Sequence, residues 1–411
     1  MRKMLAAVVV AMIVATACTS DLTINEAASE STAAPPSTTE ASPTEPTTTT
    51  IPPPPPDRGP VRVVRANWDS GLVLSSIVME VLAQLGFEPT EVVIGDNNEG
   101  LAPDLAYAVL ARDQGDLFAN GWFPVHLDWL DGRYDDEGGI IGERVALLQP
   151  IVSNGGLQGW LISKAWADSE GITSLDQIAE TRSLALQLDR DGDGKGEIYG
   201  CPEDWTCDDI IDSYLRGNRW ADLEQVRRLP DGQPERGQPS YDALFEEFLT
   251  HVAQGEAAVA YAWSPTSQHA RAQVGNDTMW LSISNEAIDI GARDPFEQSP
   301  YREIVREDGS VGFTDLSPDV CTQGPDGCQT GWNGNDITIV GSLTWLDAHP
   351  DVVAVLNAVE LQRHEASELV AEIGTLGLTE WDDKVEASRT IARNWLDANP
   401  ERVAAWLDAA R

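Results

Sequence analysis

Beyond residue 60 the apolar positions recur in two rhythms, and their order predicts the architecture. Val61-Arg62-Val63-Val64-Arg65-Ala66 reads as a strand, and Asn67-Trp68-Asp69-Ser70 as a loop with helix-capping residues. Leu74, Ile77, Val78, Val81, Leu82 and Leu85 then return at three- and four-residue steps, lining one face of a helix that stops at Gly86. Glu91–Gly95 follows as a second strand. This strand–helix–strand opening predicts a mixed α/β body with parallel strands, in which ligands gather at the strand C-terminal ends. The phrase Leu117-Phe118-Ala119 leads to another strand end at Asn120, and Pro124 argues against a helix there. Arg144–Val152 is the strand that leaves the first half of the body, and Gly155–Ile162 continues into Lys164–Ser169. Ser174 is the expected N-cap of the next helix. Further on, Leu244, Phe245, Phe248, Leu249 and Val252 mark a helix over Tyr241–Gln254, and Ala257–Tyr261 a strand ending in Ala262–Pro265. Asn335–Val340 reads as a strand and Ser342–Ala348 as a capped helix, with helical stretches around Val352–Leu369 and Lys384–Arg411.

The first 60 residues follow neither rhythm. Arg2 and Lys3 precede an apolar run from Leu5 to Ala15, too short to span a bilayer in the usual way, and Ala15-Thr16-Ala17 leads to Cys18. Residues 1–17 are similar to a bacterial lipoprotein signal peptide, after which Cys18 is the lipidated N-terminus. Ala15 stands where such signals usually carry a larger aliphatic residue, and ordinary cleavage to a free mature protein is the alternative. Residues 18–60 are mostly Ser, Thr, Pro, Ala and Glu, with no apolar period to build a core. As a flexible chain of about 40 residues they span roughly 35 Å, holding the body just off a membrane.

Charge narrows the partners. Lys+Arg 27 against Asp+Glu 67 gives a net charge of -40, which leaves little to neutralise phosphates and argues against nucleic acid. Apart from Cys18 the cysteines form two close pairs, Cys201 with Cys207 and Cys321 with Cys328. In an exported chain this favours two short-loop disulfides, whereas zinc would need reduced thiolates at closer spacing. Asp189, Asp191 and Asp193 with Gly194 match the first half of an EF-hand calcium loop, but position 12 is Gly200 where a bidentate Glu belongs. Tight Asp-Gly turns without a metal are the alternative to a structural Ca2+.

Three stretches carry candidate binding chemistry. Trp122 and His126 stand four apart at a strand end, where an aromatic face suits a cation and a ring nitrogen can donate to a carboxylate. Trp205 lies between Cys201 and Cys207, just before the helix that begins near Asp208. The backbone amides of Thr206 and Cys207 are therefore near a helix N-terminus, a favourable place for an anion. Trp263 is the third, again where a strand gives way to a loop. Each Trp alone is more often core than ligand contact; three strand or loop ends beside a His and a helix N-terminus favour a small zwitterion. Trp68 also sits at a strand end, where hinge or core packing is favoured over a pocket wall. His251, His269, His349 and His364 have no second ligand at metal spacing, and Trp280, Trp332, Trp345, Trp381, Trp395 and Trp406 are assigned to packing.

Taken in order over most of residues 100–285, Asn120–His126, the Asp-Gly loop, Cys201–Cys207 with Trp205, and Ala262–Pro265 resemble the glycine betaine/proline betaine-binding proteins of osmoprotective ABC importers. The resemblance implies an α/β, bilobal periplasmic-binding-protein (type II, Venus-flytrap) fold with two mixed-sheet lobes joined by a hinge. Residues 61–153 are then the first lobe, 154–285 the second, and 286–411 the return to the first. It implies that Trp122, Trp205 and Trp263 box a quaternary ammonium, while His126 and the amides of Thr206 and Cys207 hold the carboxylate. Thr206 stands where the family has glycine, which keeps the amide and adds bulk to the pocket, and the tether and the Cys321–Cys328 segment also depart from the pattern. The implied partners are a betaine-type ligand, an ABC permease with its ATPase, and the membrane through the lipid anchor only, with no cofactor. An enzyme, for example a lipid-tethered hydrolase, is the rival class, but the sequence has no Gly-x-Ser-x-Gly elbow. A choline-type receptor or a sensor on the same fold shares the features above.

Overall fold

The computed structural model describes residues 57–93, 100–229, 236–292, 316–332, 334–378 and 380–409. The expected signal peptide, Cys18 and the tether up to residue 56 lie outside these residues. Strand β1 (Gly59–Val64), helix α1 (Asp69–Gln84), β2 (Phe87–Val92), α2 (Pro103–Ala111), β3 (Leu117–Phe123) and the short α3 (Leu127–Leu130) open the body. β1 pairs parallel with both β2 and β3, as a strand–helix–strand opening demands. It begins at Gly59, so Gly59 and Pro60 belong to the body and not to the tether, and Arg58 is tied to Asp351 at 2.6 Å. β2 begins at Phe87 and not at Glu91, with Phe87 opposite Gly59. Pro89 hides the strand in the sequence, yet β2 is the edge of the sheet, where a missing N–H is tolerated. Gly95 lies outside the described residues.

The chain continues through β4 (Val145–Ser163), α4 (Lys164–Glu170), α5 (Leu175–Glu180), α6 (Arg182–Ala185), β5 (Gly196–Tyr199), α7 (Thr206–Gly217), β6 (Leu223–Val226) and α8 (Gly237–Ala253). Next come β7 (Val259–Ser264), α9 (His269–Ala272), β8 (Thr278–Leu281), α10 (Asn285–Ala292) and β9 (Asn335–Ser342). The last elements are α11 (Leu343–Ala348), α12 (Pro350–Ala358), α13 (Arg363–Thr375), α14 (Trp381–Ala398) and α15 (Pro400–Asp408). Ser174 caps α5 as expected, accepting from the Gln177 amide. Val352–Leu369, expected to be helical, is divided between α12 and α13, and α13 opens with a Gln362–Glu365 capping box. Asn399-Pro400 separates α14 from α15, because proline removes the donor that would continue the helix.

β4 organises the body. Its first part pairs antiparallel with β9 as far as Gly156, and β9 pairs on its other edge with β3. From Leu157 onward β4 pairs instead with β7 and β8. One strand of 19 residues thus belongs to two mixed sheets, ordered β2-β1-β3-β9-β4 and β4-β7-β5-β6 with β8 also on β4. Each sheet carries one lobe. α1 packs between the first sheet and α14, which explains why apolar residues nearly surround it. Residues 316–332 remain with the second lobe: Trp280 N donates to Val320 O and Ile283 N to Gln329 O, both at 2.8 Å. The return to the first sheet expected after residue 285 therefore comes only at Asn335. Both expected disulfides form, Cys201–Cys207 and Cys321–Cys328. Trp280, Trp332, Trp345 and Trp406 are buried in packing. No helix among the described residues is long and apolar enough to cross a membrane.

Candidate functional site

Trp122, His126, Trp205, Thr206, Cys207 and Trp263 come together in the lining of one cavity, with Trp68, Pro103, Val125, Gln158 and Tyr261. Trp68 follows β1, Trp122 ends β3, Trp205 follows β5 and Trp263 nears the end of β7, so the rings stand at strand C-terminal ends. Trp68 is the residue that sequence reasoning placed wrongly: it is a wall of the cavity. Successive rings meet nearly at right angles, Trp122 against Trp263 at 77°, Trp263 against Trp205 at 85°, and Trp205 against Trp68 at 77°. Their centroids are 5.7, 6.0 and 6.2 Å apart. Four aromatic walls result.

Asparagines orient three of the four indoles. Asn120 Oδ1 accepts from Trp68 Nε1, from Trp122 Nε1 at 2.8 Å and from Ser70 Oγ at 3.1 Å. Asn67 Oδ1 accepts from Trp205 Nε1 at 3.1 Å, and its Nδ2 donates to Asp204 at 2.9 Å. Asn67 belongs to the first lobe and Trp205 to the second, so this contact crosses the cleft. Trp129 Nε1 crosses it as well, donating to Thr206 Oγ1 at 2.9 Å. The side chain added by Thr206 is thereby engaged with the opposite lobe, leaving its backbone amide in the first turn of α7. Gly156, at the change of partners in β4, lets Trp122 lie close: a Cβ there would meet the indole at 2.6 Å.

One end of the cavity is polar. Trp205 is the N-cap of α7, so Thr206 and Cys207 have backbone amides without intrahelical acceptors, and the Cys201–Cys207 bridge ties down their loop. His126 Nδ1 receives the Trp122 backbone N–H at 3.1 Å and lies 2.8 Å from the Tyr107 hydroxyl. An amide N–H can only donate, so Nδ1 is the acceptor and the ring proton sits on Nε2. Burial lowers the His126 pKa to about 3. The imidazole is therefore a neutral donor, and the lining carries no formal charge. Such a cavity can hold a cation against aromatic faces and an anionic group against N–H donors.

The neutral imidazole also affects stability. The unfolded His takes up a proton below about pH 6.5, whereas the folded one resists until about pH 3. Its stabilising contribution is complete above 6.5 and declines as pH falls below it. Between pH 7.5 and 5.5 the wild type should lose about 1.4 kcal/mol more unfolding free energy than His126→Gln, measured by urea titration. Equal losses would show that His126 is charged when folded.

Elsewhere, ligand atoms of Asp189, Asp191 and Asp193 lie within 4.8 Å of one another. Asp189 accepts from the amides of Gly192 and Gly194, Asp191 from Asp193, and Asp193 from Lys195. These are the bonds of tight Asp-Gly turns, and Gly200 supplies no closing carboxylate. His251 pairs with Glu256, and His349 Nδ1 lies 2.8 Å from Trp345 O.

Residues 59–398 match the family model described as the substrate binding domain of an ABC-type glycine betaine transport system. The chain is 26% identical over 341 residues to the glycine betaine-binding periplasmic protein OusX of Dickeya dadantii, covering 82% of this chain and 85% of that protein. It is 24% identical over 339 residues to the Escherichia coli glycine betaine/proline betaine-binding periplasmic protein, covering 81% and 84%. Among solved structures it is similar to an ABC-transporter choline binding protein in complex with choline, with a TM-score of 0.56, 16% identity, and 85% and 91% of the two chains covered. Lactococcal OpuAC, closed around glycine betaine, gives 0.54 at 15% identity, covering 85% of this chain and 99% of that one. These likenesses show the fold, the two-lobed type II periplasmic-binding-protein architecture. The match over most of the body makes this chain a member of the family of substrate-binding domains of ABC-type glycine betaine transport systems, a binding protein and not an enzyme.

Proposed function

We propose that the protein captures glycine betaine or proline betaine for osmoprotection and delivers it to an ABC permease and its ATPase. The carrying observation is the uncharged cavity itself, four tryptophan walls facing one neutral imidazole donor and the amides of Thr206 and Cys207. A quaternary ammonium has no N–H to donate, so aromatic faces serve it where a hydrogen-bonded salt bridge cannot. Each face contributes about 0.5–2 kcal/mol, whereas micromolar binding needs about 8 kcal/mol. Charge-assisted hydrogen bonds to the carboxylate supply the remainder. Contacts across the cleft, Asn67 with Trp205 and Trp129 with Thr206, support closure of the lobes around the ligand.

The ligand is a zwitterion because neither end finds a formal countercharge in the lining. Choline would bury a cation with no carboxylate of its own and none among the residues around it. Similarity to periplasmic binding proteins supports export, and Cys18 with the residues preceding Arg58 forms the lipidated tether to the outer face of the membrane. Calorimetric titration of the protein with glycine betaine, proline betaine, choline and glycine tests the reading. Both betaines should bind, choline at least roughly tenfold more weakly, and glycine not measurably, since its ammonium is strongly hydrated. Choline binding as tight as betaine would reassign the polar end, and failure of every quaternary amine would return the tryptophans to core packing.

A further inference from the structure

We propose that Gln158 is a specificity-determining residue whose Nε2 group donates a hydrogen bond to the ligand carboxylate. Gln158 lies on β4 directly opposite Trp263 of β7 and lines the cavity at 4% exposure. Its Oε1 accepts from the Tyr261 hydroxyl at 2.7 Å, and its Nε2 is buried without a partner among the described residues. The orientation of the amide follows from Tyr261. In the reverse orientation Nε2 would donate to the hydroxyl oxygen, leaving both the hydroxyl proton and the amide oxygen unpaired. With Oε1 on Tyr261, only the Nε2 donor waits for an acceptor.

A buried, unpaired N–H donor is costly, so its natural partner is an acceptor brought by the ligand. This deepens the betaine assignment and rests on it. A trimethylammonium accepts no hydrogen bond, so the carboxylate oxygens are the acceptors that glycine betaine offers. Gln158 then joins His126 and the α7 amides in reading the carboxylate, with Tyr261 as a positioning residue.

Titrating the full protein with glycine betaine and choline at pH 8.5 tests this in wild type, Gln158→Glu, Gln158→Met and Tyr261→Phe. Gln158→Glu keeps an acceptor for Tyr261 but replaces the free donor with a carboxylate oxygen. Its betaine affinity should fall at least tenfold and its betaine-to-choline ratio should fall further, because the new charge complements choline. Gln158→Met should weaken betaine without strengthening choline. Tyr261→Phe should show a smaller loss of betaine, with no gain for choline. An unchanged ratio in Gln158→Glu, in a protein whose wild type binds betaine, overturns the role of Gln158. If Gln158→Glu does not fold, unchanged betaine binding by Gln158→Met overturns it equally. Wild-type protein that binds no betaine overturns the ligand assignment and this inference together.

Discussion

Trp205→Ala should weaken glycine betaine binding by roughly two orders of magnitude, whereas Trp263→Ala should weaken it by about thirtyfold. In the proposed assignment both rings would offer a face to the ammonium, worth up to about 2 kcal/mol when desolvated. Trp205 has a second task, because its indole N–H crosses the cleft to Asn67 Oδ1 at 3.1 Å, a bond of about 1 kcal/mol. Together the two terms approach 3 kcal/mol, or about a hundredfold in affinity. Trp263 Nε1 is buried without a partner among the described residues, so its replacement removes the face alone. Asn67→Ala should forfeit the bond from Trp205 together with the one to Asp204, a loss of at least about fivefold. Calorimetry on the three variants, with melting curves to verify folding, distinguishes these contributions. Equal losses at Trp205 and Trp263 would mean that the cross-cleft bond adds nothing.

Lys384→Met should lower the stability of the folded body by about 3 kcal/mol, through charges away from the cavity lining. Lys384 on α14 pairs at 2.8 Å with Asp242 on α8, which also accepts from Gln238 Nε2 at 2.7 Å and Gln268 Nε2 at 2.6 Å. Nearby, Asp69 at the start of α1 is fully buried and accepts from the Ser267 amide at 3.0 Å and from its hydroxyl. Elements of both lobes therefore converge on one ammonium between two carboxylates. Burial raises the Asp69 pKa first, and the Asp242 charge raises it further. Burial works against the Lys384 ammonium, but Asp69 and Asp242 hold its pKa above the ordinary value. Removing one partner of a buried pair leaves an uncompensated charge, at a cost of about 3–5 kcal/mol; the partial exposure of Asp242 favours the lower end. Urea unfolding measures the loss, and betaine affinity should fall with it. Lys384→Met combined with Asp242→Asn should recover part of the stability, because the stranded charge is gone. No recovery would attribute the effect to lost packing of the lysine stem.

Much of the architecture was legible because it depends on local rhythm. The helical repeat from Leu74 to Leu82 falls within α1, with Leu85 as its C-cap, and Ser174 caps α5. The two cysteine pairs form in the expected order because each closes a loop too short to admit much competition. Errors arose where pairing between distant segments decides the outcome. The start of β2 is set by its parallel register with β1, and residues 316–332 remain on the second lobe through bonds to Trp280 and Ile283. Neither contact leaves a periodic trace in the segment itself.

The sequence by itself determined which residues could serve a zwitterion: tryptophans at strand ends, a histidine four positions after one of them, and amides at the start of a helix. Residue type and local geometry suffice for that. Only the tertiary structure decided that Trp68 is a fourth wall, that Asn120 and Asn67 orient the indoles, and that Gln158 keeps a free donor. These properties depend on which hydrogen-bond acceptors meet which donors across the two sheets. Asn120 and Trp122 are close in sequence, but Asn67 and Trp205 are 138 residues apart, and nothing local announces that they meet. The charge state of His126 was hidden for the same reason. Its neutrality comes from burial and from an amide N–H aimed at Nδ1, and both exist only once the chain has closed around it.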